Sequence, residues 1–132
     1  MARAELNMLT SNVLAAAIEV HKELGSGLLE SIYEHCLAQD LQDRGLDIQG
    51  QVIVPVRYKG KPVGPSMKLD LLVEQRVIIE VKAVECLHEA HRAQLLTYLK
   101  LTGCKPGLLL NFNEALMKEG VIRVVNGDLD AP

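Results

Sequence analysis

Lys68-Leu-Asp70-Leu-Leu-Val73 and Val77-Ile-Ile-Glu80-Val-Lys82 flank the polar triplet Glu74-Gln75-Arg76, and this stretch decides the fold. Two short apolar runs joined by a few polar residues are typical of a β-hairpin. If the turn centres on Gln75, Asp70 falls opposite Glu80. Side chains alternate faces along a strand, so Lys82 shares the face of Glu80. The stretch therefore predicts a hairpin that brings Asp70, Glu80 and Lys82 together.

The pairing of two carboxylates in an apolar hairpin needs a physical reason. Directly opposed residues lie about 4.5–5.5 Å apart at Cβ, and like charges there destabilise the sheet unless a cation, a shared proton or solvent relieves them. Oxygen ligands at that separation suit Mg²⁺ or Mn²⁺. Lys82 would then orient or activate water, or stabilise charge on a phosphate. An alternative stays open, in which Lys82 forms an ion pair with Asp70 or Glu80 on a solvated face.

Two helices are predicted before the hairpin. Apolar residues recur at helical spacing from Leu9 to Leu24, with Thr10, Ser11 or Asn12 as the N-cap, and Gly25-Ser-Gly27 ends this helix. A second helical pattern runs from Leu29 to Leu41 and places Gly45 just past its end.

The rest of the chain alternates between strand and helix patterns. A strand precedes the turn Lys59-Gly-Lys-Pro62, and a helix after the hairpin ends at Gly103. The predicted order is ααβββαββ, an α/β fold in which a mixed β-sheet is flanked by helices. The predicted segments after the second helix are strands 52–58, 68–73 and 77–83, a helix 88–101, strand 108–112, a connection 114–118 and strand 121–125.

Length and composition predict one domain over residues 1–132, because this length suffices to bury a core of its own. Cys36, Cys86 and Cys104 have no zinc-ligand spacing and are odd in number, so we expect buried, reduced thiols. No signal-peptide core or membrane-length apolar run occurs, so we expect a cytoplasmic protein that does not contact membranes.

The net charge of −3 does not indicate a nucleic-acid binder, but the charge is unevenly distributed. No acidic residue lies between Asp47 and Asp70, and this interval carries four cations: Arg57, Lys59, Lys61 and Lys68. Such a basic strip would meet phosphates, or it would only add solubility around a hairpin.

Five ordered blocks stand out: Gly25-Ser-Gly-Leu-Leu-Glu-Ser-Ile-Tyr33, Lys68-Leu-Asp70-Leu-Leu, Ile79-Glu-Val-Lys-Ala-Val84, Ala93-Gln-Leu-Leu-Thr-Tyr-Leu-Lys-Leu-Thr-Gly103 and Leu110-Asn-Phe112. Together they resemble the PD-(D/E)XK nuclease superfamily and, more closely, its GxxExxxY proteins over residues 13 to 126. Two departures stand out: Leu69 replaces the nominal proline before Asp70, and Tyr33 follows Glu30 by three positions, one fewer than the family label prescribes. The second departure leaves the role of Tyr33 open.

The resemblance implies a restriction-endonuclease-like core whose metal, Mg²⁺ or Mn²⁺, is bound by Asp70 and Glu80. The Val81 carbonyl would be a further ligand, and Lys82 the catalytic lysine. Glu30 would match an acidic residue near the metal. It would alternatively complement the positive end of a helix dipole.

The resemblance also implies that Gln94 and Tyr98 support the site, in the manner of RecB-like nucleases. Their spacing puts both on one helical face. The alternative is a core tyrosine with a glutamine at its edge. His91, one turn before Gln94, is a secondary candidate for facing the site, although a helical histidine is more often a surface or packing residue.

Two functions follow as hypotheses. The first is a metal-dependent nuclease that cleaves DNA or RNA and, as the resemblance implies, can pair as a homodimer. The second is a catalytically silent binding or assembly module that keeps the nuclease fold, because fold does not guarantee function.

Overall fold

The computed structural model describes residues 2–130, which form the predicted order of helices and strands. Residues 1, 131 and 132, which the predicted domain includes, lie outside the described part. The elements are α1 (Arg3–Leu24), α2 (Glu30–Asp43), β1 (Ile48–Tyr58), β2 (Lys61–Val73), β3 (Val77–Lys82), α3 (Glu89–Thr102), β4 (Pro106–Asn111), a 3₁₀-helix (Met117–Gly120) and β5 (Val121–Val125).

The five strands form one sheet in the order β1-β2-β3-β4-β5. Neighbours are antiparallel except β3 and β4, which run parallel. A parallel pair needs a crossover connection, and α3 supplies it between these two strands. The predicted mixed sheet is therefore confirmed.

Helices cover both faces of the sheet. The helices α1 and α2 pack on one face around Tyr33, Phe112 and alternate residues of β3 such as Ile79. The helix α3 packs on the other face, where Leu95 and Tyr98 contact Ile78 and Leu109. The two-sided burial of β3 and β4 explains why both strands are almost continuously apolar in sequence.

The helix ends fit the prediction better than the first helix start. Gly45 and Gly103 have φ of +85° and +79° just past α2 and α3, as predicted. The predicted N-cap at Thr10, Ser11 or Asn12 is wrong, because α1 already begins at Arg3 and Leu6 is buried on the same face. The hydroxyl of Thr10 instead donates to the Asn7 carbonyl (3.0 Å). No helix in residues 2–130 is long and apolar enough to cross a bilayer.

The three cysteines are free thiols, but their burial differs from the prediction. Cys36 and Cys104 are half-buried, whereas Cys86 is exposed. The expectation of buried thiols is wrong for Cys86 because this residue lies in the loop between β3 and α3.

The strands β1 and β2 extend far beyond the rest of the sheet. The strand β2 pairs with β3 only from Leu71 to Val73, yet it continues to pair with β1 as far as Lys61. We call residues 52–68 the ribbon. The sequence prediction starts this strand only at Lys68, because Lys59-Gly-Lys-Pro62 indicates a turn. Pro62 and Pro65 are tolerated here, since this part of β2 pairs with β1 and not with β3.

Candidate functional site

The backbone hydrogen-bond ladder between β2 and β3 ends before Asp70 and Glu80, where side-chain carboxylates accept the next hydrogen bonds. Continuing the register from the pair Leu71–Ile79 puts these two residues opposite each other, as predicted. The Asp70 amide donates to Glu80 Oε2 (2.8 Å), and the Val81 amide donates to Asp70 Oδ2 (2.8 Å). Each carboxylate thus takes the place of a strand carbonyl, and the two strands separate around them.

The two carboxylates are held where negative charge is unfavourable. Burial, followed by the negative charge of Asp70, raises the pKa of Glu80 to about 7, and the Glu80 residue is only 3% exposed. Burial also raises the pKa of Asp70, although the Val81 amide and the Lys82 charge lower it in part. A proton or a cation would relieve this repulsion.

Lys82 lies near Asp70 and Glu80 but forms an ion pair with neither. Among the described residues, no carboxylate comes within 4.0 Å of its ammonium group, so the structure does not place it in an ion pair. Its charge still lowers the pKa of Asp70 and of Glu80. Its backbone is fixed, because the Lys82 carbonyl accepts a hydrogen bond from the Phe112 amide (2.8 Å).

Glu30 begins α2 and reaches across to the end of β3. Its Oε2 accepts a hydrogen bond from the Ala83 amide (3.0 Å), one residue past Lys82. The charge of Glu30 also contributes to the raised pKa of Asp70. Glu30 therefore combines both predicted placements, in the first turn of a helix and near the paired acids.

Glu34 and Gln51 belong to the same cluster, and neither was predicted as a site residue from the sequence. Gln51 Nε2 donates to Glu34 Oε2 (2.8 Å). Burial raises the pKa of Glu34, and the charge of Asp70 adds to this effect. The Gln51 amide lowers the pKa of both acids in part. Glu34 had a signal, since it lies one helical turn after Glu30.

The backbone at Gln51 explains how the cluster forms. Gln51 has φ of +50° and lies in β1 opposite Asp70, between the pairs Gly50–Leu71 and Val52–Leu69. Leu69 packs into the core beneath α3, whereas Leu71 packs into the core beneath α1 and α2. Residues two apart in a regular strand share a face, so β2 changes face at Asp70.

The predicted supporting pair on α3 is placed only in part. The Tyr98 hydroxyl donates to the Lys68 carbonyl (2.8 Å), and burial together with the charges of Glu80 and Asp70 raises its pKa. Gln94 is half-buried one turn earlier and makes no hydrogen bond within the described chain. His91 accepts the His88 amide on Nδ1 (3.0 Å) at the start of α3.

Tyr33, whose role was open, holds the loop that leads to Glu30. Its ring stacks on Phe112 with centroids 4.5 Å apart. Its hydroxyl donates to the Gly25 carbonyl (2.5 Å) and accepts from the Leu28 amide (3.1 Å). The tyrosine therefore fixes the segment that ends at the N-terminus of α2.

Asn111 fixes the chain on the other side of Lys82. Its side chain accepts from the Val84 amide (3.0 Å) and donates to the Val84 carbonyl (2.9 Å). The residue is fully buried at the end of β4. The exit of β3 is thereby held two residues after the lysine.

The donor set fits a hard divalent cation by its chemistry. Asp70 and Glu80 offer carboxylate oxygens, the ligand type that Mg²⁺ and Mn²⁺ prefer. Within residues 2–130, no group of three or more His, Cys, Asp or Glu side chains already stands in metal-binding geometry. Burial and the charge of Asp70 raise the pKa of Glu80 to about 7, and a bound cation would counteract both effects.

Comparison with known proteins gives one positive result. The family model of the PD-(D/E)XK nuclease superfamily matches residues 7–124, most of the 132-residue chain. It does not confirm the narrower resemblance to GxxExxxY proteins. No curated protein and no solved structure matches the chain.

Proposed function

The chain belongs to the PD-(D/E)XK nuclease superfamily, and we propose that it is a metal-dependent nuclease acting on DNA or RNA. Nucleases of this superfamily generally use divalent metal ions. The observation that carries the proposal is the junction of β2 and β3, where the buried Glu80 and the half-buried Asp70 meet beside Lys82, which makes no ion pair within residues 2–130. Such a junction has acidic oxygens for a cation and a free ammonium group for a phosphate.

Asp70 and Glu80 would hold the cation, with the Val81 carbonyl as a further ligand. One oxygen of each acid already accepts a hydrogen bond from a backbone amide, which fixes the position of the acid before any cation binds. A bound divalent cation polarises the scissile phosphate and lowers the pKa of a coordinated water. This chemistry suits Mg²⁺ or Mn²⁺.

Lys82 would stabilise the negative charge that grows on the phosphate, or orient the attacking water. Its half-buried stem and fixed backbone aim the ammonium group, and the absence of a carboxylate partner in the described chain leaves it available. Glu30, Gln94 and Tyr98 would position these groups. We add Glu34 and Gln51 to that supporting set, because both adjoin Asp70.

The decisive test is a cleavage panel with labelled DNA and RNA in the presence of Mg²⁺ or Mn²⁺. Lys82→Ala should lower the rate by about 10²–10³-fold, the usual cost of removing a group that stabilises transition-state charge. Asp70→Asn should do the same while retaining an oxygen for the Val81 amide. Lys100→Ala, on the exposed surface of α3, is the matched control and should cleave normally.

Full-rate cleavage by both the Lys82→Ala and the Asp70→Asn proteins would trace the activity to a contaminant. The proposal would then fail. Cleavage by the native chain that continues unchanged in excess EDTA would refute the metal dependence.

A second candidate function is a catalytically silent binding or assembly module. One observation favours it: Asp70 and Glu80 both complete backbone hydrogen bonding, a structural task that needs no metal. Titration calorimetry separates the candidates. Binding of Mg²⁺ or Mn²⁺ at millimolar levels favours the nuclease, and no binding at those levels favours the module.

We also propose that the chain belongs with the GxxExxxY proteins and forms one domain over residues 1–132. Five ordered sequence blocks support the first point. The second is supported by core residues that run from Leu6 to Leu129. Tyr33 and Leu69 depart from the family patterns, yet both are fully buried in the cores that flank the site.

A further inference from the structure

The ribbon projects from the candidate site into solvent. Its base packs on α3 through Val52, Val54 and Met67. Beyond that base, residues 55–66 are exposed except for the half-buried Val56. No element of the described chain covers this end, so eleven-residue β1 and thirteen-residue β2 build an arm that contributes little to the core.

Within the described residues, the cations of the ribbon have no carboxylate partner. Elsewhere, Arg3, Arg44 and Arg92 each pair with a carboxylate within 4.0 Å. None of the ribbon cations does so within residues 2–130, and exposed cations such as Lys22 and Lys100 do not either; the ribbon differs in carrying four cations and no acid, although the chain as a whole is acidic. These cations are Arg57, Lys59, Lys61 and Lys68. Unpaired, like-signed charge on an exposed arm calls for an anionic partner.

Exposed apolar groups accompany these charges. Tyr58 is 66% exposed, and Lys59 Nζ lies 5.4 Å from its ring centroid. Ile53 and Val63 are exposed as well. A mixture of cations, one aromatic ring and aliphatic side chains can contact phosphates, sugars and base edges, whereas a purely solubilising arm needs only the charges.

The reach of the ribbon matches one turn of a duplex. Nine residue steps separate Asp70 from Lys61, which is about 30 Å at ~3.3 Å per residue. One helical turn of B-form DNA rises about 34 Å. A duplex with a phosphate at Asp70 would therefore pass the ribbon tip about one turn away.

We infer that the ribbon runs along the axis of duplex DNA with its tip in the major groove, and that Arg57, Lys59 and Lys61 contact phosphates about one turn from the scissile bond. The inference deepens the proposed nuclease function by naming its substrate, and it rests on that function for the position of the bond. The B-form major groove, about 12 Å wide, admits a two-stranded ribbon. The major groove of A-form RNA is too narrow for side chains to read.

The test measures binding without catalysis. Fluorescence anisotropy follows a labelled duplex of ~30 bp with the Lys82→Ala protein in EDTA, over a range of KCl concentrations. We expect Arg57→Gln, Lys59→Gln and Lys61→Gln together to weaken duplex DNA binding at least about 100-fold at ~0.1 M salt. The salt slope should fall by about one for each cation removed.

The matched control neutralises three exposed cations elsewhere: Lys22, Lys100 and Lys118, each changed to Gln. This control should retain most of the affinity for duplex DNA, although it has the same net charge as the ribbon variant. Both triple variants should keep the parent's melting temperature, because all six positions are exposed.

Three outcomes would overturn the inference. They are equal losses in the ribbon and control variants, an equal or larger loss on duplex RNA of the same length, and a ribbon variant that binds DNA normally but changes from dimer to monomer in sedimentation. Since binding is measured without metal, tight ribbon-dependent binding by a native chain that never cuts would refute only the nuclease function. Cleavage combined with ribbon-independent binding would refute only the ribbon.

Discussion

The two halves of β2 show how one strand can serve two purposes. Residues 69–73 pair with β1 and, from Leu71 onward, also with β3, and they carry Asp70 among fully or nearly buried leucines. Residues 61–68 pair only with β1 and are mostly exposed. The buried half therefore holds Asp70 in a fixed position, whereas the exposed half is accessible to a partner.

The charges of the two halves are opposite in sign. The buried half contributes to a cluster of acids, and the exposed half belongs to an arm whose charges are all positive. The net charge of −3 is a sum over the whole chain and does not reveal this difference in sign between the two halves. In the proposed nuclease, substrate attraction and cation binding would therefore use separate parts of one strand.

The largest expected effect is on the free energy of unfolding, to which the ribbon should contribute far less than the buried half of β2. Leu69→Ala should lower the free energy of unfolding by about 2–5 kcal/mol, because Leu69 is fully buried and its loss leaves a cavity. Ile53→Ala, beside it on β1 but 64% exposed, should change that free energy by less than ~0.5 kcal/mol. Urea denaturation measures both, and equal losses would contradict the division.

The acid pair gives the second test, through pH. The pKa of Glu80 in the folded, metal-free protein is about 7, above the ordinary 4.5, so the fold binds this proton more tightly than the unfolded chain. Its stabilising contribution is full below pH 4.5 and is lost as the pH rises through about 7. Glu80→Gln cannot ionise and should gain up to about 3 kcal/mol relative to the native chain over that interval, at ~1.4 kcal/mol per unit.

Denaturation in EDTA at pH 5 and pH 8 measures this difference. Glu85→Gln, an exposed carboxyl three residues past Lys82, is the control. If the Glu80→Gln protein follows the native chain at both pH values, the sheet does not hold Glu80, the partner of Asp70, where its negative charge is unfavourable.

The smallest expected effect is that of Gln51 on Mn²⁺ affinity. This residue lies in β1 directly before the ribbon begins. Gln51→Ala removes the hydrogen bond to Glu34 and the amide beside Asp70, while it keeps a Cβ at the same backbone angle. We expect Mn²⁺ affinity to fall about three- to tenfold, the value of one hydrogen bond. Calorimetry should find no change for Gln39→Ala, whose amide bonds Asp43 on the exposed side of α2; an equal loss there would remove Gln51 from the site.

The hairpin and its register could be predicted because local rules decide them. The turn at Gln75 follows from a polar triplet between apolar runs, and Asp70 then faces Glu80 by counting. Helix ends at Gly45 and Gly103 follow from the need for positive φ. These features depend on neighbours in sequence.

The rest depends on contacts between distant residues. Gln51 meets Glu34 across seventeen positions, and its positive φ has no glycine or asparagine to announce it. The part of β2 before Lys68 escaped prediction, because Lys59-Gly-Lys-Pro62 indicates a turn until the pairing of this segment with β1 is known. The start of α1 escaped because the N-cap Ala2 makes no side-chain bond.

The amide bonds of Asp70 and Glu80 have a consequence for descent. Both acids hold backbone groups, so natural selection for a stable sheet preserves them even in a lineage that has stopped cutting nucleic acid. The side chain of Lys82 supports no such bond within residues 2–130. Once hydrolysis is no longer selected, drift should therefore erase the lysine first, and its persistence among homologues is the better mark of retained chemistry.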